Sequence, residues 1–560
     1  MKKNEYRQCN DGFNKYILSE YDRFIRGSWV QTLFNMSQYA RPKALMGATL
    51  IDGTGAPPLK DSIVILEDKY IVEVGKRGQV KVPPDAEIID VKGKTITPGL
   101  IDSHCHFLWM GIAMKSMVLL NEAKTMGEAL NLLKERVENT EPGEWIIGLG
   151  WDESKWPEKR YLTKHDIDPV APNNPVMLSR VCGHLISVNS KALEVEGITP
   201  ETQSAAGGSI DKDEAGELTG ILRDCRDLIE SHIPPVSVET MVDGLELASR
   251  LALSLGCTGV HDAGLSSREI EAYHRAEREG KLKVRTTLML RGDAADDAVE
   301  KGVNQTGEFV RLGPIKLFVD GSLGARTAAL FEPYEDDPTT RGLLLETRET
   351  LTEKIWRAHE AGLQTASHAI GDLAIDVVLD SIQEALRRFP RKDHRHRIEH
   401  CEITSVQQIE RIKQLGIIPD MQPNFIGEWG ELGGMYNQRL GDRRKRMSNQ
   451  YRGMLDEGIR VAFGSDGMPF NPVYGIWSAV NHTMRESRVT LEEAVMCYTL
   501  NAAYAGFQED MVGSIEKGKL GDIAVFDRDL SEIPWDEIKE AECYMTLVGG
   551  EILYKRDEQT

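Results

Sequence analysis

Short apolar runs broken by turn residues occupy both ends of the chain, and a longer alternation of strand-like and helix-like segments fills the middle. Residues 1–42 are polar and aromatic with no clear period, as in Tyr16-Ile17-Leu18-Ser19-Glu20-Tyr21, and read as an N-terminal extension. From Lys43 the pattern becomes alternating strands and tight turns: Ala44–Ile51, then Asp52-Gly53-Thr54-Gly55, then Ser62–Leu66 and Tyr70–Val74. The same texture returns in Asp522–Asp527 and Tyr544–Tyr554. Short strands at both ends predict one small β-sandwich built from residues 43–98 and 505–560, with another domain between them.

Across residues 99–504, eight strand-like runs recur: Gly99–His106, Cys257–Gly264, Lys283–Leu290, Ile315–Gly321, Gln364–Gly371, Arg397–Glu402, Ile417–Gln422 and Arg460–Gly467. Helix-period segments such as Leu351–Ala361 and Ile375–Phe389 separate several of them. Eight such units predict an α/β fold, a (β/α)8 TIM-like barrel, with its active site at the C-terminal ends of the strands. The stretch between the first two strands is far too long for one helix. Residues from about 115 to 245 therefore form a large insertion after barrel strand 1, with its own turns at Glu141-Pro142-Gly143 and Ala206-Gly207-Gly208.

Composition narrows the partners. The 560 residues carry 67 Lys and Arg against 88 Asp and Glu, a net charge of −21. Nucleic acid and anionic membrane both demand a basic surface and are disfavoured, which leaves a small-molecule substrate; homo-oligomerisation stays open. The eight cysteines are scattered and none forms a Cys-x-x-Cys pair, which argues against a zinc ribbon and for a reducing compartment. No secretory apolar segment and no run approaching 18 apolar residues is evident, so a cytoplasmic location is expected.

Chemistry enters at the strand ends. Strand 1 closes as Asp102-Ser103-His104-Cys105-His106, and residues two apart on a strand face one way, so His104 and His106 offer two imidazoles to one ion. Strand 4 buries Lys316, strand 5 ends in His368, strand 6 in His400 and strand 8 in Asp466. Four histidines, a carboxylate and a lysine at one barrel mouth suit zinc or a related divalent ion. An inward lysine is costly to bury as a cation; reaction with carbon dioxide would convert Lys316 to an anionic carbamate able to bridge two ions. Asp466 is the candidate for taking the proton from water and passing it to a leaving group, a metal ion having lowered the pKa of that water toward ~7 to supply hydroxide.

These runs, with Trp151-Asp152-Glu153, Lys316–Gly324 and Ser367–Asp372, resemble the amidohydrolase superfamily of metal-dependent hydrolases, specifically its large-insertion amidohydrolase-3 type, over residues 43–555. The resemblance implies that His104, His106 and Asp466 hold one metal, that His368 and His400 hold a second, and that carboxylated Lys316 bridges them. It implies hydrolysis of a non-peptide amide or cyclic amide C–N bond. Members of the group often carry a further histidine after the strand-7 Gln-Pro, whereas this chain reads Met421-Gln422-Pro423-Asn424-Phe425.

Substrate contacts are expected from Trp151, His184 and Arg223 in the insertion, and from Arg326 and Gln422 in the barrel; His261 is placed to orient a ligand. Two look-alikes are set aside. His394-Arg395-His396 repeats the His-x-His spacing in a charged stretch that reads as a solvated loop. Gly513–Leu520 approaches a phosphate-binding loop but lacks the Ser or Thr after its lysine. A mononuclear deaminase acting on a heterocyclic ring is the alternative enzyme, and a non-catalytic scaffold the alternative of another class.

Overall fold

The computed structural model describes residues 41–557 apart from 122, 182–183, 205–207 and 304–306, so nearly all of the N-terminal extension lies outside the described residues. The described chain divides into two compact units, Leu108–Ala248 and the residues on either side of it.

The flanking unit contains an eight-stranded sheet of parallel neighbours in sequence order. Its strands are β1 (Leu100–Cys105), β2 (Cys257–Leu265), β3 (Arg285–Leu290), β4 (Val310–Phe318), β5 (Thr365–Ala369), β6 (Arg397–His400), β7 (Ile418–Met421) and β8 (Ala462–Phe463). All eight overlap the runs read from the apolar pattern, although β4 starts at Val310, ahead of the run that begins at Ile315. Helices follow most of them: α1 (Ser267–Arg278), α2 (Asp293–Lys301), α3 (Arg348–Glu360), α4 (Asp372–Arg388), α5 (Val406–Leu415), α6 (Pro423–Trp429) and α7 (Pro472–Val480). Their ends are written locally. Ser266 with Glu269 and Ser405 with Gln408 form capping boxes that start α1 and α5, and left-handed Gly416 stops α5.

Closure between β8 and β1 depends on small groups. The Asp466 amide donates to the His104 carbonyl at 2.7 Å, and Ser465 donates to both Asp102 oxygens, from its amide at 2.9 Å and its hydroxyl at 2.5 Å. Gly464 permits this approach, since a Cβ there would lie 2.4 Å from the His104 nitrogen. Asp102, one step deeper than His104 on β1, is thereby engaged in joining the two strands.

Both chain ends build the sandwich. A four-stranded sheet uses Lys43–Met46, Ser62–Glu67, Tyr70–Lys76 and Glu87–Asp90. The second, five-stranded sheet joins Thr49–Leu50 and Thr95–Pro98 to Ile523–Phe526, Cys543–Val548 and Glu551–Lys555. The sheets share an apolar core that includes Leu45, Val64, Ile96, Val525 and Leu547. Each such residue contributes about 1.5–3 kcal/mol on burial, which gives the terminal strands reason to meet. Gly513–Leu520 is a turn, with the Lys519 amine on Ser514 Oγ at 2.6 Å, and it carries no helix for a phosphate to cap.

The Leu108–Ala248 unit has its own six-stranded sheet, Val118–Leu119, Ile146–Trp151, Val176–Arg180, Leu185–Val188, Leu218–Arg223 and Ser209–Lys212, and its own apolar clusters. Among the described residues no helix is long and apolar enough to cross a membrane.

Candidate metal centre

The β1 and β8 ends bring three donors together. His106 Nε2 lies 3.2 Å and His104 Nε2 3.8 Å from Asp466 Oδ1, and donor atoms of all three fall within 4.8 Å of one another. Asp466 sits on left-handed backbone at φ +55°, a conformation that costs a non-glycine residue about 1–3 kcal/mol and that holds its carboxylate against β1.

Lys316 reaches the same place from β4: its Nζ lies 3.2 Å from His104 Nε2, and the side chain is buried. His368 on β5 packs edge-on against His400 on β6, ring centroids 4.3 Å apart, and His400 lies 5.0 Å from the His104 ring. On a regular strand His400 would point away from the face that Glu399 uses. His400 and Cys401 instead adopt φ of +70° and +49°, ending β6 in a tight reversal that brings the imidazole to the other histidines. All six residues expected at one mouth are therefore neighbours. The two halves differ, however. Neither close trio of His, Cys, Asp or Glu donors among the described residues includes His368 or His400, and His368 Nε2 is turned to the Gly321 carbonyl at 3.2 Å.

Electrostatics disfavours protonation of three of the imidazoles. Burial, then the Lys316 charge, holds His104 well below the ordinary histidine range and His368 at about 3. Burial, then the neighbouring His368 and His104, does the same for His400, with Gln422 alone acting in the opposite sense. Neutral imidazole and carboxylate are the donor set of a divalent transition metal. One buried atom, Asp466 Oδ1, completes no hydrogen bond among the described residues. Buried polar atoms are normally satisfied, so the site fits a cation as the missing partner.

Sequence reading missed the groups beneath the histidines. His104 Nδ1 meets Glu399 Oε2, and Glu399 is gripped by Arg397 through Nε and Nη2, both at 2.8 Å. Arg397 also reaches Asp420 Oδ2 at 2.7 Å, and all three charged residues are fully buried. The available signal was Arg-Ile-Glu in a buried strand, two charges at a spacing of two that faces both inward. Asp320, after β4, accepts from the amides of Ala329, Ile370 and Gly371 and so ties the loop after β4 to the end of β5 that carries His368. Burial, working against those bonds, pushes its carboxyl to about 7.

The other expected contacts fare unevenly. Trp151 is corrected: it is completely buried in the insertion's core, stacked on Trp156 at 5.9 Å, with its indole N–H on the Leu178 carbonyl, and has no surface to offer a substrate. His184 is exposed and pairs with Asp224 at 2.7 Å; Arg223 pairs with Asp211 and lies over the Tyr161 ring. Arg326 pairs with Asp336, which Arg439 also holds. Gln422 is buried at the end of β7, with Nε2 3.3 Å from the Asp420 carbonyl. Asn424, which follows the strand-7 Gln-Pro, is a core residue that donates to the Pro469 carbonyl and accepts from Tyr498. His261 accepts from Arg397 at 2.9 Å and is thus removed from the histidine cluster by two further side chains. His394 and His396 are also corrected, being buried rather than solvated.

The sequence profile described as the amidohydrolase family matches residues 87–554, and the chain belongs to that family. It is 35% identical over 521 residues to the YtcJ protein of Bacillus subtilis, covering 88% of this chain and 96% of that one. It is 31% identical to the N-substituted formamide deformylase of Arthrobacter pascens, covering 88% and 95%. The crystal structure of an uncharacterized metal-dependent hydrolase from Pyrococcus furiosus superposes with a TM-score of 0.72 at 31% identity, over 87% of this chain and 99% of that one.

Proposed function

We propose that this protein hydrolyses a C–N bond of a small non-peptide amide, with a divalent metal, zinc by choice, held by His104, His106 and Asp466. The meeting of those three donors at the β1–β8 junction carries the reading. The similarity to an N-substituted formamide deformylase favours an N-substituted amide as substrate. A bound divalent ion would supply an acidified water and polarise the amide carbonyl.

The remaining work falls to the chain. Asp466 accepts the water proton at Oδ1, the atom that completes no hydrogen bond among the described residues, and returns it to the departing nitrogen. His368 and His400 would hold a second ion, and Lys316, once converted to a carbamate, would supply an anionic ligand beside His104. That arrangement requires His368 to turn away from Gly321. Phe318, 5.8 Å from His368, and Phe425, 6.0 Å from His400, border the centre with apolar rings that limit the approach of bulk water.

Chelator-stripped protein reloaded with zinc tests this. The wild type is expected to take up metal stoichiometrically and release amine from N-substituted formamides, while His104→Ala loses both. Metal uptake without amide hydrolysis, but with ammonia release from amino-heterocycles, would replace this reading with the deaminase one. A native-mass gain of one carbon dioxide, lost in Lys316→Ala, is expected of the carbamate form.

A further inference from the structure

Beneath the cluster lies a chain of contacts that the proposed chemistry does not use. Arg397 donates to both Glu399 oxygens, and a carboxylate so held accepts its remaining hydrogen bonds. Its neighbour His104 meets it through Nδ1 and turns Nε2 to the Lys316 amine, which has only protons to give. The ring proton therefore sits on Nδ1, where Glu399 Oε2 receives it. The lone pair is left on Nε2, the atom that faces Lys316 Nζ and Asp466 Oδ1. In the opposite tautomer a hydrogen would point into the space that the other donors surround.

We infer that Glu399 is the positioning residue that fixes His104 as an Nε2 metal donor, with Arg397 holding Glu399 in place; this rests on reading the cluster as a metal centre. Glu399 has no freedom to leave. Arg397 engages both of its oxygens, and the same guanidinium is anchored at the Ser103 carbonyl at 2.7 Å, at Asp420 and at His261 Nδ1. Ser103 precedes His104, so one cation fixes the strand and, through Glu399, the ring of the same ligand. His104, Glu399 and Asp420 also form a close donor trio of their own. Arg397 already lies on both of its carboxylates, and a second cation there would meet like charge. The trio is a support for the centre above it.

Zinc affinity, measured by competition with a chelator, tests the inference apart from turnover. Glu399→Gln is expected to bind zinc about 10–100-fold more weakly, the usual effect of removing the partner that orients a ligating histidine. Asp420→Asn is the control: it also unbalances buried Arg397 but leaves the Glu399–His104 contact, and its affinity is expected to stay near that of the wild type. Unchanged affinity in Glu399→Gln, or equal losses in both variants, would overturn the inference. Wild-type protein that binds no zinc would instead overturn the metal reading beneath it. If Glu399→Gln does not fold, nitrogen NMR of metal-free wild-type protein labelled at histidine decides: a proton on His104 Nδ1 supports the inference and one on Nε2 refutes it.

Discussion

Three residues at the strand ends carry conformations that their types disfavour. His400, Cys401 and Asp466 all sit at positive φ, and two of them are donors in the cluster. Strain of about 1–3 kcal/mol per residue persists only where neighbours enforce it, and here burial and the β1–β8 hydrogen bonds do so. Gly464 shows how little tolerance remains. Gly464→Ala drives a methyl into the His104 backbone, and a cost of about 1–3 kcal/mol in urea unfolding is expected, together with weakened zinc binding because both flanking strands carry proposed ligands. Full stability and full zinc affinity in that variant would show that the strands separate without consequence. The pair His104 and His106 was legible because two positions on one strand share a face. Glu399 was not, because its partner lies 295 residues away and a single acid in a strand looks the same whatever it touches.

At the level of elements, the segment before β6 repays the correction made above. His394 Nδ1 accepts from the His396 amide and its Nε2 donates to the Leu415 carbonyl. His396 Nδ1 accepts from the Thr365 amide, its Nε2 faces His359 Nδ1 at 2.8 Å, and His359 Nε2 donates to the Phe389 carbonyl. Every ring nitrogen is thus used with all three imidazoles neutral, which also disqualifies this His-x-His as a metal site. Burial holds each of them below the ordinary value of 6.5. The unfolded chain takes up protons first, so the stability is fully present above about pH 6.5 and is lost as pH falls below it. Between about pH 7.5 and 5.5, His359→Gln is expected to lose less unfolding free energy than the wild type; equal losses would sink the assignment. Charge density misled here, because Arg391, Asp393 and Arg395 flank the histidines while the rings themselves point into the interior.

For the whole molecule, the barrel and the sandwich are joined by a buried ion pair. Arg285 on β3 meets Asp522 at 2.6 and 3.0 Å, and Asp522 also accepts from the Gly549 amide. Removing one partner strands the other charge, so Asp522→Asn is expected to cost about 3–5 kcal/mol by chemical denaturation. A change under about 1 kcal/mol would mean that water reaches Arg285. The barrel was readable because strand length, turn residues and helix period agree over all eight units, and the sandwich because its strands recur at both chain ends. The insertion was readable only as an excess of length. Within it, a tryptophan that fills a core and one that meets a ligand carry the same letter, which is why Trp151 was misassigned.

The hydrogen bond from the Asp466 amide to the His104 carbonyl joins two residues whose side chains converge on the same spot. Whatever occupies that spot therefore clamps the junction of β8 with β1 from the side-chain side. Local breathing there must break the amide bond and pull the donors apart together. Zinc is accordingly expected to slow hydrogen–deuterium exchange at the Asp466 and Ser465 amides far more than in the sandwich, by a factor that grows with free zinc. Loading the centre and latching the barrel would then be one event.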